Sequence, residues 1–177
     1  MTDPNAWQSD DKARPALDMM NYGMYVVGSR GPMGLNVMAA HWLMQVSFKP
    51  RMVALSIEND ARTLANVRET RVFSVNVMGA DSTGLIASFL QPADPNKIIG
   101  RTTSGAPIID KLAGVPHKTM GTGCPVLKDA LAWFECEVEG GLPVGDHTLV
   151  VGRIVDGGQI NAGTPLRDDD LGWTYSG

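Results

Sequence analysis

Three clusters of residues in this sequence have types and spacings suited to chemistry. The first is Asn36-Val37-Met38-Ala39-Ala40-His41-Trp42, which follows the turn Gly31-Pro32-Met33-Gly34. Small alanines beside an asparagine let a planar ligand come close to the backbone, whose N–H groups then act as donors. A bulged strand with small residues against its neighbours reads the same way. The second is Glu58-Asn59-Asp60-Ala61-Arg62-Thr63, where a strand gives way to a helix. Free N–H groups and the positive end of the helix dipole, joined by the Arg62 charge and the Thr63 hydroxyl, are the equipment of a phosphate site. An ordinary helix with Thr63 as its N-cap uses the same residues. The third is Gly145-Asp146-His147-Thr148. An acidic neighbour can fix a histidine's tautomer, so that His147 donates to a ligand oxygen. Equally, Asp146 shapes a turn there and His147 is half buried.

Other machinery is missing from the sequence. Gly121-Thr122-Gly123-Cys124-Pro125 does not continue into a dinucleotide fingerprint, and there is neither a phosphate-binding P-loop nor a Gly-x-Ser-x-Gly elbow. His41, His117 and His147 are far apart and lack the spacing that puts two ligands on one helix face. Cys124 and Cys136 make neither a zinc motif nor a disulfide framework and read as free thiols, so no metal is expected.

The elements that must position these clusters are mostly strands. Tyr22 to Ser29 is β-rich, Leu35 to Phe48 is a long apolar segment broken by Lys49-Pro50, and Arg51 to Ile57 suits a strand covered on both sides. Thr63 to Arg71 reads as a short helix with Leu64 and Val67 on one face, and Arg71 to Met78 as a strand burying Phe73, Val75 and Val77. Ser82 to Leu90 looks helical. Residues 91–125 show no sustained period, and a stretch that long inside a compact domain is more often functional than idle. Leu131 to Val138 alternates Ala132, Phe134, Cys136 and Val138 inward with Glu135 and Glu137 outward. A connection at 140–145 leads to a last strand, Asp146 to Val155. These signals predict at least six strands and two short helices, a β-barrel or sandwich with helical additions.

Composition sets outer limits. The chain has 177 residues, 44% apolar and 19% charged, which fits one globular domain with its own core. Residues 1–16 are expected to be a flexible tail and 17–177 the domain. A net charge of −4 without a basic block makes the chain a poor candidate for binding nucleic acid or anionic membranes, and neither is expected as a partner. No apolar run approaches the ~20 residues of a membrane helix, and the start lacks the pattern of a signal peptide. A cytoplasmic protein is expected.

In this order and spacing, the clusters resemble the flavin reductase-like family, whose fold is the FMN-binding split barrel. The matching segments are Tyr22-Gly23-Met24-Tyr25-Val26-Val27, Asn36 to Trp42, Gln45-Val46-Ser47-Phe48-Lys49-Pro50, Glu58 to Leu64, Phe73 to Val77, and Gly145-Asp146-His147. Together they cover about residues 17–160. The fold implied is mainly β with short helices, closed as a split β-barrel. Members are homodimers that bind FMN, or sometimes FAD, without a Rossmann fold. Many transfer a hydride from NADH or NADPH to the flavin, which then serves a partner oxygenase or another acceptor.

Carried over residue by residue, the resemblance lays the flavin ring along Asn36, Val37, Met38, Ala39, Ala40, His41 and Trp42, with Ser47 near its edge. It puts the phosphate on Arg62 and Thr63, joined by Lys97, and sets His147 beside the ring at the nicotinamide approach as the catalytic candidate. The pattern departs at Ala39 and His41, where the family often has Thr and then Asn or Ser, so backbone N–H groups must serve there. Two alternatives belong to other classes. One is a flavoredoxin-like electron carrier that keeps its FMN, and the other a split barrel that binds haem or no flavin.

Overall fold

The structure, a computed structural model, describes residues 12–90 and 110–171. Nine strands and three α-helices follow in the order α1 (Arg14–Leu17), β1 (Tyr25–Gly31), β2 (Gly34–Ala40), β3 (Leu43–Phe48), β4 (Arg51–Glu58), α2 (Arg62–Thr70), β5 (Val72–Val77), α3 (Thr83–Leu90), β6 (His117–Thr119), β7 (Pro125–Leu127), β8 (Ala132–Val144) and β9 (His147–Gln159). A 3-10 turn at Asp168–Leu171 closes the described chain. Helix α1 straddles the expected boundary between tail and domain and buries none of its residues.

Seven strands form one sheet in the order β2-β1-β5-β8-β9-β4-β3, and every pairing is antiparallel. The two edge strands, β2 and β3, are consecutive in sequence and joined only through His41 and Trp42. The sheet therefore curls until its edges meet at that corner while remaining unpaired beyond it. That is the split barrel the sequence predicts, mainly β with short helices.

Each face of the curled sheet has its own core. Inside, Val27, Leu55, Ile57, Phe73, Val75, Cys136 and Val150 pack with Leu64 and Val67 of α2, which plugs the barrel. Burying a side chain such as Leu64 is worth about 1.5–3 kcal/mol, enough to dock a helix of two and a half turns. Outside, Val26, Val37 and Ala39 lie under Ile86 and Phe89 of α3 and under Leu112, Leu127 and Leu166. Consecutive residues such as Val26 and Val27, or Ala39 and Ala40, thus serve opposite cores, as the period of two requires.

Four local expectations need correcting. Thr63 is not the N-cap of α2: that position is Ala61, with no side-chain cap hydrogen bond, and Thr63 lies inside the helix. Glu135 does not point to solvent. It is fully buried and accepts from the Thr122 N–H at 3.1 Å and from the Thr122 hydroxyl, so the strand carries an internal carboxylate where alternation predicted an exposed one. The stretch 140–145 is mostly not a connection, because β8 continues to Val144 and only Gly145 and Asp146 form the loop. The 91–125 segment, read as having no period, holds strand β6 in its described part and runs into β7, with which β6 forms a short hairpin.

Candidate functional site

The predicted ring-binding strip coincides with an edge. Strand β2 pairs with β1 on one side and ends the sheet on the other, so backbone groups along its outer rim are not used by the ladder. Its side chains alternate: Val37 and Ala39 join the outer core, Met38 and Ala40 the inner one. Asn36 is buried, and its amide donates to Thr63 Oγ1 at 2.9 Å. The strip therefore offers backbone and small residues rather than side-chain donors.

The first turn of α2 lies beside this strand. Its N-cap is alanine, with no side-chain cap hydrogen bond, so the positive end of the helix dipole is not covered by a capping side chain. Arg62 begins the helix, and its Nη2 donates to the carbonyl of Met33 at 2.8 Å, which holds the guanidinium over the β1–β2 turn. Thr63 is buried, and a hydroxyl that accepts from Asn36 still has its own proton to donate. An N-terminus with no side-chain cap, an arginine and a close edge strand form a donor set that fits a phosphate attached to a planar ring. Lys97, the other expected phosphate ligand, falls outside the described residues.

The hairpin tip brings the third cluster to the first. Gly145 has φ +62°, and Val144 pairs with His147, so the two-residue loop has its positive φ at the first position, where glycine is favoured. Asp146 Oδ1 lies 2.7 Å from His147 Nδ1. The His147 ring packs on Trp42, with centroids 5.0 Å apart and planes tilted by 48°. Residues 105 positions apart in sequence thus meet at the corner where the sheet edges join.

His41 is directed elsewhere. It is buried, with Nδ1 2.9 Å from Asp168 Oδ1 in the 3-10 turn. Burial pushes the imidazole below its ordinary range, and the adjacent carboxylate restores only part of the shift. Burial likewise raises Asp168, partly offset by His41. Sequence gave no sign of Asp168, because the contact joins residues 127 positions apart. Ser47 sits at a β-bulge opposite Met52, and among the described residues no hydrogen bond ties it to the strip. A cleft of 490 Å³ opens between Tyr25, Leu43, Val53, Phe134 and Ile154, and none of the predicted site residues lines it.

Comparison with known proteins decides the family. The flavin reductase like domain matches residues 17–172. The chain belongs to the flavin reductase-like family. Diflavin flavoprotein A 1 of Synechocystis is 24% identical over 148 residues, 84% of this chain and 24% of its own length. The chain spans about a quarter of the length of the first curated relatives it matches. Among solved structures, the flavin reductase PheA2 is 29% identical with a TM-score of 0.70, covering 89% of this chain and 92% of the other. BorF, the flavin reductase component of a bacterial two-component tryptophan halogenase, is 25% identical with a TM-score of 0.71 and covers 89% and 92%. These two solved structures share the split-barrel fold, and no helix among the described residues is long and apolar enough to cross a membrane.

Proposed function

We propose that this chain is a homodimeric NAD(P)H:flavin oxidoreductase that takes FMN, with FAD as the other flavin its site admits. The observation that carries the reading is the α2 N-terminus without a side-chain cap, with Arg62 held beside the edge strand β2. When bound, the flavin supplies the hydride-accepting ring. The backbone rim of β2 fixes that ring, and the small Ala39 and Ala40 allow close approach. Arg62, the first-turn N–H groups, the Thr63 hydroxyl and Lys97 hold the phosphate. Ser47 borders the ring from β3. His147, oriented by Asp146 and backed by Trp42, donates to the nicotinamide or ring at the hydride-transfer face. No strong acid or base is required, because the chain's task is orientation and donation toward charge that develops on the ring.

The dimer is supported by apolar surface. Met44, Val46 and Phe48 of β3 and Leu142 and Val144 of β8 are exposed, Phe48 by 90%. Registers carry Met44 across Ala54 to Val151, on the same face as Leu149 and Leu142. The resemblance to the halogenase reductase component supports a protein partner, an oxygenase or another acceptor, that consumes the reduced flavin.

The test is the absorption spectrum with added FMN, followed by NADH and NADPH titration. Bound flavin that is reduced by either nucleotide supports the reading, and His147→Ala should slow that reduction about tenfold to a hundredfold, the effect of one positioned donor. Bound flavin untouched by either nucleotide makes the protein an electron carrier instead. Absence of flavin binding overturns both.

A further inference from the structure

We propose that Asn59 is a positioning residue that holds His147 against Trp42; its bearing on hydride transfer rests on the role proposed for His147 above. Strand β4 ends with Glu58 opposite His147, so the next residue, Asn59, overhangs the β8–β9 loop. Its backbone N–H donates to the Asp146 carbonyl at 2.8 Å. Its side-chain amide donates to the Gly145 carbonyl at 3.1 Å, and its Oδ1 accepts from Thr148 Oγ1 at 2.7 Å. The three partners flank His147 on both sides, so one residue holds the backbone before the imidazole and the Thr148 side chain after it.

The tip needs such a latch. Strand β8 runs past its pairing with β5, which ends at Glu137, through Gly140 and Gly141, and Gly145 turns the loop, so that side of the tip has a permissive backbone. Only a short side chain bearing both donor and acceptor makes the two side-chain bonds at once. Aspartate keeps the acceptor for Thr148 but loses the donor to Gly145, and alanine keeps neither. The latch also extends inward, because Arg68 Nη2 of α2 donates to the same Thr148 hydroxyl at 3.1 Å. Asn59 stands three residues before Arg62, so a short stretch of chain sets both the hairpin tip and the start of α2. The distance between the proposed phosphate end and the proposed hydride end of the site is thereby held constant.

The experiment reads His147 directly and then through turnover. In the full chain, the His147 ring protons should show the ring-current shift of Trp42 by NMR. Asn59→Ala should move them toward unperturbed values while the rest of the spectrum stays dispersed, and Asn59→Asp should restore part of the shift. FMN reduction should slow about tenfold in Asn59→Ala with the FMN dissociation constant unchanged, and Asn59→Ala/His147→Ala should be no slower than His147→Ala alone. If Asn59→Ala does not fold, Thr148→Val breaks the same latch from the other side and is read identically. Unmoved His147 signals overturn the proposal, as does a double variant slower than His147→Ala by the full single-variant factor. If the signals move but His147→Ala reduces FMN at the parental rate, the positioning stands and it is the role of His147 that falls.

Discussion

The Asn36 amide donates to the Thr63 hydroxyl at 2.9 Å between two buried side chains, and this one bond joins the edge strand β2 to the first turn of α2. The sequence places these residues in separate clusters, one read for a ring and one for a phosphate. The structure makes them a unit, so that backbone rim and helix N-terminus keep a fixed relation.

Thr63→Val therefore tests the unit rather than either half. It leaves the buried Asn36 amide without its acceptor, which should cost about 1–3 kcal/mol of stability in a denaturant titration. Because strip and helix then lose register, FMN and riboflavin should both bind more weakly, FMN by the larger factor because the Thr63 hydroxyl also serves its phosphate. A loss confined to FMN would make Thr63 a direct phosphate ligand only.

Arg62 and Lys97 should behave differently. A charge-assisted hydrogen bond is worth roughly 1.5–3 kcal/mol, so Arg62→Ala and Lys97→Ala should each raise the FMN dissociation constant about tenfold to a hundredfold. Riboflavin lacks the phosphate and should bind both variants nearly as it binds the parent. Fluorescence quenching of the two ligands gives the comparison, and equal losses for both would remove these residues from the clamp.

What could be read in advance follows from what is local. The strand that buries Phe73 and Val75 and the apolar face of α2 with Leu64 and Val67 come from neighbouring residues and appear in the structure as expected. The order of motifs was sufficient for the split barrel. Glu135 failed because alternation assumes one covered face, whereas residues 121–127 cover the other and supply Thr122 as a donor pair. Ser74 and Asn76 are buried for the same reason, with Ser74 donating to the Pro125 carbonyl at 2.6 Å and the Asn76 carbonyl oxygen accepting from the Leu127 N–H at 2.8 Å. Asp168 and the Asn59 latch failed for another: their partners are distant in sequence, and no periodicity or capping rule carries such information.

The apolar face of β3, β4, β9 and β8 gives a prediction about assembly. An obligate interface buries roughly 2,000 Å² or more, and Phe48, Met44 and Leu142 are exposed on the strands that would supply it. Sedimentation at micromolar concentration should show a dimer, and Phe48→Asp with Leu142→Asp should give a folded monomer with weaker flavin binding. A parent protein that sediments as a monomer contradicts the dimer.

The His41–Asp168 pair predicts how stability responds to acid. Burial holds the folded His41 pKa below the usual 6.5, and the Asp168 carboxylate only partly reverses this. Below about pH 7 the unfolded chain therefore binds a proton at this residue that the folded chain refuses, so stability falls as pH drops through 6.5 and toward the folded value. Asp168 acts with the opposite sign: burial, reinforced by Asp169, raises its folded pKa above 3.8, so between that raised value and 3.8 the folded state takes its proton first and gains stability as pH falls. The two effects occupy different windows, and between pH 7.5 and 6 the histidine dominates. His41→Asn cannot titrate there, while His117 and His147 remain in both proteins and cancel in the comparison. The melting temperature of the parent should thus fall more steeply from pH 7.5 to 6 than that of His41→Asn. Because Leu166 N–H donates to Met78 and Asp168 N–H to Tyr22, loosening the pair should also free the 166–168 stretch, seen as faster amide exchange at those two positions in acid. Parallel melting curves for the two proteins would mean that His41 carries no such linkage.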